Sequence, residues 1–356
     1  MQPIEFAIVG GGWRAEFYLR IAKALPERFR VIGMVVRDAD KGRAIEQQWG
    51  VRTYRAIADL LEAAKPQFVV SCVSWDSNPG VCRELAERGL PILSETPPAR
   101  DVALMKELCQ LVAQGARIQV AEQYIYQPHH AARLAFARSG LIGRVTQAQV
   151  SAAHGYHGVS LIRHFLGVAY DKCRITAKRF TSQLMAGPGR DGPPAEPRSM
   201  PSTQTIAWLD WGNRLGVFDF TGDQYFSWVR GQRLLVRGDR GEINNHTANY
   251  LRDYLTPIEV NFQRQCAGPN GNLEGFYLKG IIAGERWWYI NPTAPGRLSD
   301  DEIAVATLLI KMAEYVAGGP EVYPLAQACQ DRYLDMMVEQ AATTGQVVEA
   351  EAQGWA

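Results

Sequence analysis

The first residues with a chemical meaning lie at the end of an apolar hexapeptide. Ile4 to Val9 reads as a strand buried on both faces, and it runs straight into Gly10-Gly11-Gly12-Trp13-Arg14-Ala15. An amphipathic segment follows, with Phe17, Ile21, Ala24 and Leu25 three and four residues apart. In a strand–turn–helix setting this pattern suits a dinucleotide. Gly10 permits the tight turn, Gly12 lets the backbone approach a pyrophosphate, and Ala15 keeps the helix packed near the strand. The free N–H groups around Trp13 and Arg14, together with the helix dipole, favour phosphate charge. A second buried strand then ends at Val35-Val36-Arg37-Asp38. Arg37 can pair with a 2′-phosphate and stack on adenine, assisted by Arg14, so NADP is the expected cofactor. Asp38 would instead serve the ribose of NAD if the register shifts by one.

A second set of residues could move protons. His154, Tyr156, His157 and His164 fall close together, and an imidazole titrates near neutral pH without perturbation. Two or three imidazoles can also hold Zn²⁺, but no nearby acid or cysteine completes such a set, and no metal ligand is assigned.

Regular elements must carry these groups. After the first two strands the alternation continues: strand 67–73, helix 79–88 ended by Gly89, strand 91–95, helix 102–113 and strand 117–121. This rhythm predicts a doubly wound parallel sheet, a Rossmann fold, whose ligands lie at the carboxyl ends of the strands. Ser74, Trp75, Glu95, Thr96, Pro97 and Gln123 then surround one crevice, together with Glu122 and Tyr124. The pattern changes near residue 123. Beyond a helix over 129–139, a strand over 145–152 and a helix ending at Gly167, strand-like runs dominate: 175–180, 203–211, 215–221, 225–229, 234–236, 258–263 and 285–289. They predict an α+β domain with an open, mostly antiparallel sheet, closed by helices over 301–317 and 325–343. The expected division is α/β overall, with residues 1–122 binding the dinucleotide and 123–356 binding substrate. Gly187 to Pro201 is too rich in glycine and proline for regular structure.

Composition sets the outer bounds. The 356 residues carry a net charge of +1, with no basic stripe or acidic tail, which argues against nucleic acid and anionic membranes as partners. No apolar run approaches the roughly 20 residues that span a bilayer. Six scattered cysteines without a Cys-x-x-Cys pair read as reduced core residues and point to the cytoplasm. Most of the tryptophans are expected in the core or at an interface between subunits.

The order of motifs resembles the glucose–fructose oxidoreductase / inositol dehydrogenase / rhizopine catabolism (Gfo/Idh/MocA) family. The resemblance rests on the glycine turn at 10–15, Glu95-x-Pro97, Tyr126-x-Pro128, and Ser139-Gly140-Leu141-Ile142-Gly143-Arg144-Val145. Gly155-x-His157 ten residues before Gly167, and Gly238-x-x-Gly241, complete it. It implies an NAD(P)-dependent oxidoreductase acting on a carbinol or carbonyl carbon of a sugar-like molecule, assembled as a homodimer or homotetramer through its C-terminal sheets. It also implies that His157 stands beside the crevice as the acid/base. Two departures are evident. The family's Glu-Lys-Pro is Glu95-Thr96-Pro97 here, and its Asp-x-x-x-His is Ala153-x-x-x-His157; a further acidic position is Ser160. Thr96 and Tyr156 are therefore expected to supply neutral hydrogen bonds where the family uses charge. A net non-redox reaction on a tightly bound dinucleotide, or dinucleotide binding without catalysis, are the alternatives.

Overall fold

The computed structural model describes residues 2–190, 192–272 and 275–355, so Asp191 in the Gly/Pro-rich stretch lies outside the described residues. The N-terminal part alternates as expected: β1 (Ile4–Val9), α1 (Ala15–Ala24), β2 (Phe29–Val35), α2 (Ala39–Trp49), β3 (Thr53–Tyr54), α3 (Ile57–Ala63), β4 (Phe68–Ser71), α4 (Asn78–Glu87), β5 (Ile92–Ser94), α5 (Val102–Ala113) and β6 (Ile118–Val120). These strands form one parallel sheet in the order β3-β2-β1-β4-β5-β6. The order reverses between β1 and β4, so the crevice opens beside the glycine turn that follows β1.

A 3₁₀ turn (Tyr124–Tyr126) leads into α6 (Pro128–Arg138), β7 (Val145–Ser151) and α7 (Gly155–Leu166). The strands β8 (Cys173–Met185), β9 (Ser199–Asp210), β10 (Leu215–Thr221), β11 (Arg233–Gly238), β12 (Gly241–Asn244), β13 (Thr247–Leu251) and β14 (Pro257–Asn261) follow. A separate three-stranded antiparallel sheet holds β15 (Gln263–Ala267), β16 (Tyr277–Ala283) and β17 (Arg286–Ile290). The chain ends in α8 (Asp300–Val316), α9 (Leu325–Thr344) and β18 (Val348–Ala350). The large sheet runs β14-β13-β12-β11-β7-β10-β9-β8-β18, and only β7 and β10 pair in parallel.

Two strand expectations need correction. Residues 225–229 are not a strand. Thr221 and Gln224 form a capping box that closes a 3₁₀ turn over Gly222–Tyr225, and the Ser227 hydroxyl then accepts from the Val229 and Arg230 N–H groups. The run 258–263 is two strands in two sheets, because Phe262 turns into the core and its N–H donates to the His246 carbonyl. Of the tryptophans expected in the core or at an interface, Trp288 is buried, whereas Trp75, Trp208, Trp228 and Trp287 are exposed on this chain.

Helix α8 belongs spatially to the first sheet. Ser299 and Glu302 cap it reciprocally, and its Val305, Ala306, Leu308, Leu309 and Met312 pack with Phe6, Ile8, Tyr18 and Ile21. This packing brings Asp301, in the first turn of α8, to the glycine turn. Leu309 is fully buried there. Leu309→Ala is expected to cost about 2–5 kcal/mol through lost burial and the cavity left behind. A lowered denaturation midpoint checks it, and an unchanged midpoint would show that α8 is not part of this core.

Candidate active site

The dinucleotide motif has the geometry it needs. Gly10 sits at φ +114°, where a Cβ would come within 2.4 Å of the Cys72 carbonyl oxygen, so only glycine fits. At Gly12 a Cβ would meet nothing within 4 Å, and the face toward solvent is open. The first bonded amides of α1 are Ala15, Glu16 and Phe17, which donate to Gly12, Trp13 and Arg14. The N–H groups of Gly12 and Trp13 are thus left to face a ligand, as a pyrophosphate site requires.

At the end of β2, Arg37 is exposed and makes no ion pair among the described residues. Asp38 caps α2, accepting from the Asp40 and Lys41 amides at 2.9 and 3.0 Å, and these bonds lower its pKa. Arg55, which the sequence did not single out, adds a second guanidinium by donating to the Val36 carbonyl. Arg14 does not reach this end. Its Nε donates to Glu95 Oε1 at 2.8 Å and its Nη1 to Asp301 Oδ2 at 3.3 Å, so it cannot assist at a 2′-phosphate. Burial alone would lower the Arg14 pKa, but Glu95, Tyr18 and Asp301 raise it above the ordinary value. Tyr18 also donates to Glu95 Oε1 at 2.5 Å. Glu95 is therefore the anchor of a buried cluster rather than a free ligand.

Ser74 and Trp75 are exposed beyond β4, and Arg332 lies over the Trp75 ring at 5.4 Å. Trp13 is half exposed, with Arg190 of the Gly/Pro-rich loop 4.1 Å from its ring centre. Pro97 and Gln123 are buried, and Gln123 Oε1 has no hydrogen-bond partner among the described residues.

His157 is the third residue of α7, and its side chain is 5% exposed. Its Nδ1 lies 2.6 Å from Oε2 of Glu122, which immediately follows the Ala121 backbone bond to β5. Glu122 is the residue that sequence reasoning placed near the crevice but gave no role. The available signal was the acid directly after the last parallel strand, on the edge where ligands bind. Burial pushes the Glu122 carboxyl up to about 8 and the His157 imidazole down to about 3. Burial thus disfavours charge on either partner and favours the uncharged form of the pair, in which the Glu122 carboxyl donates to Nδ1 and the imidazole carries its proton on Nε2. No described residue hydrogen-bonds Nε2.

Aromatic groups frame the imidazole. The rings of Tyr156, Tyr124 and His154 are 4.4, 4.6 and 5.0 Å from it between centres. The Tyr225 hydroxyl links His154 Nδ1 at 2.7 Å with the Tyr124 hydroxyl at 3.2 Å. Tyr225 reaches this place because its segment turns instead of extending. Burial raises the Tyr156 pKa, and the Thr96 hydroxyl beside it lowers it, so Tyr156 is a neutral donor. Thr96 is half-buried, and its N–H donates to Glu95 Oε2 at 3.4 Å. His164 is not part of this group; it lies against Tyr323 and Arg138. Ser160 is in the core, paired with Tyr323 at 2.9 Å.

Residues 4–122 match the sequence profile of the family described as oxidoreductase family, NAD-binding Rossmann fold (Gfo/Idh/MocA). No curated protein sequence matches the chain. Among solved structures, levoglucosan dehydrogenase in complex with NADH aligns at a TM-score of 0.70 with 14% identity, covering 99% of this chain and 100% of that one. An oxidoreductase from Agrobacterium radiobacter, in complex with NAD⁺, L-tartaric acid and magnesium, aligns at 0.68 with 15% identity over 98% of each chain. Myo-inositol 2-dehydrogenase from Lactobacillus plantarum aligns at 0.67 with 13% identity over 98% and 100%. At these identities the likeness is one of fold.

The open face at Gly12 yields a direct expectation. Gly12→Val should fold normally, since nothing in the protein opposes its side chain, but should abolish dinucleotide binding measured by calorimetry. Unchanged affinity would remove the pyrophosphate from this turn.

Proposed function

We propose that this chain, whose residues 4–122 match the Gfo/Idh/MocA oxidoreductase family, transfers hydride between a bound nicotinamide dinucleotide and a carbinol or carbonyl carbon of a sugar-like molecule. The observation that carries this reading is the Glu122–His157 pair, buried at 2.6 Å beside the dinucleotide crevice with Nε2 unclaimed. The nicotinamide, when bound, supplies or accepts the hydride. Gly10, Gly12 and Ala15 hold the pyrophosphate with the amides at Trp13, while Ser74, Trp75, Glu95, Pro97 and Gln123 shape the rest of the cradle.

The protein's own part is to move one proton and to stabilise charge on the substrate oxygen. In the neutral pair, Nε2–H donates to a carbonyl oxygen as negative charge grows there, and the Glu122 proton passes to Nδ1 as Nε2 gives up its own. Alcohol oxidation needs the deprotonated pair: the Glu122 carboxylate accepts from Nδ1–H, and Nε2 takes the hydroxyl proton. Thr96 and Tyr156 hold the substrate oxygen by neutral hydrogen bonds. Arg14 does not replace the missing lysine's charge, because its guanidinium is paired with two carboxylates, Glu95 and Asp301. Exposed Phe180 and Trp208, on β8 and β9, support subunit assembly through the large sheet.

Cofactor choice rests on Arg37 and Arg55 at the end of β2, which favour NADP over NAD. Arg37→Ala should weaken NADP by roughly 1.5–3 kcal/mol, or about ten- to a hundredfold, and NAD little. Equal weakening of both cofactors, or a native preference for NAD, would reverse the assignment.

The pair also sets a pH dependence. The Glu122 pKa is raised, so the proton is present below about pH 8 and lost above it. Alcohol oxidation should therefore rise through an inflection near pH 8, and carbonyl reduction should fall through the same point. His157→Asn should keep dinucleotide affinity while lowering turnover by about a hundred- to ten-thousandfold, and Glu122→Gln should remove the inflection. Full activity in His157→Asn with a sugar-like alcohol would refute the reading.

A further inference from the structure

A second cavity lies on the far side of Tyr124, whose ring faces His157 at 4.6 Å and His130 at 6.4 Å. It encloses about 120 Å³ between α6, the start of β11, the β12–β13 turn and the first turn of α8. Its lining includes His129, His130, Arg133 and His246. None of these belongs to the crevice.

The charge balance of this cavity is unusual. Arg133 is 6% exposed, yet no carboxylate pairs with it among the described residues. Its Nη2 lies 3.3 Å from His246 Nδ1, and its Nε is buried without a partner. The Nδ1 atoms of His129 and of fully enclosed His130 are likewise buried without partners. The other charged groups on the wall are already satisfied. Asp300 accepts both guanidinium nitrogens of Arg264 at 2.6 and 2.7 Å, and Arg233 donates to Asp219 at 2.8 Å. One buried cation and a cluster of imidazole nitrogens are thus left over. Burial alone pulls Arg133 down to about 10, with no acid holding it up.

An isolated buried charge is strongly unfavourable unless an opposite charge joins it. Water could satisfy the orphaned nitrogens, since a site of about 10–15 Å³ holds one molecule, but water does not neutralise the guanidinium. A planar guanidinium flanked by imidazoles is a strong set of donors for oxyanions. Protonation of His129 or His246 on binding would add further charge-assisted bonds. A metal ion is disfavoured by the cation at the centre, and among the described residues no cluster of three or more metal-ligating side chains exists.

We propose that this cavity is a second ligand site, which binds a small oxyanion of phosphate size through Arg133, His130, His129 and His246. The oxyanion is either free or carried on a small metabolite. It is separate from the hydride-transfer crevice and does not depend on the function assigned to that crevice.

Calorimetry and thermal melting with inorganic phosphate, in a buffer otherwise free of oxyanions, test the proposal on the whole protein. Phosphate should bind saturably and raise Tm. Arg133→Gln should weaken it by about ten- to a hundredfold, as expected for loss of a charge-assisted contact. His246→Gln, at the exposed mouth, should weaken it less and keeps the test valid should Arg133→Gln fold poorly. Arg133→Met gives an independent readout: it should raise Tm without phosphate, because an unpaired buried charge is removed, and abolish the phosphate-induced rise. A sugar phosphate binding more tightly than phosphate would assign the anion to a metabolite; equal affinity would assign it to the free ion. Absence of saturable phosphate binding, or binding unchanged in both Arg133→Gln and His246→Gln, would overturn the proposal. So would an Arg133→Met protein that is destabilised in phosphate-free buffer and still shows the full phosphate-induced rise.

Discussion

The site depends on one contact made across the seam of the molecule: a carboxyl at the end of the parallel sheet meets an imidazole from the first turn of α7. Glu122 and His157 are both almost fully buried. Burying an isolated carboxylate or imidazolium costs several kcal/mol, so the contact persists as a neutral, hydrogen-bonded pair. That requirement constrains what surrounds it. The Tyr124 amide donates to Glu122 Oε1 at 3.1 Å, which orients the carboxyl, and the rings of Tyr124 and Tyr156 keep water from the imidazole. The parallel sheet and α7 must then be held in fixed relation. The backbone bond from Val120 to Tyr323 and the buried Arg163–Asp331–Tyr323 cluster, which ties α7 to α9, do so.

A second buried cluster organises the dinucleotide side. Arg14 leaves the glycine turn and enters the crevice because Glu95, just after β5, and Asp301, on α8, accept from its guanidinium, while Tyr18 of α1 donates to Glu95. The return of α8 to the first sheet is thus more than a packing detail. It delivers the second carboxylate that holds the Arg14 guanidinium.

Much of this was legible in the sequence. Alternating apolar runs and helical spacings disclosed the parallel sheet, because strands buried on both faces leave a strong local signal. The glycine turn, with Gly10 at positive φ, was equally local. The contact between Glu122 and His157 was not, since the two lie 35 residues apart and meet through the docking of α7. Arg14 was misassigned for the same reason: its partners lie 81 and 287 residues distant, while the strand end that it was thought to serve lies close in sequence. The segment 225–229 alternates like a strand, but the reciprocal cap between Thr221 and Gln224 overrides that pattern and turns the Tyr225 hydroxyl toward His154. Strands as short as β3, with two residues, and β12, with four, cannot show a period.

The central claim is that Glu122 and His157 titrate as one neutral pair. Nitrogen NMR of the protein labelled at histidine side chains, recorded from pH 5 to pH 9.5, tests it most directly. The account predicts that His157 never becomes a free imidazolium in this range. Its proton should reside on Nε2 below about pH 8 and on Nδ1 above it, as Glu122 ionises. A His157 that titrates alone near pH 6.5, or keeps one tautomer through pH 8, would contradict it.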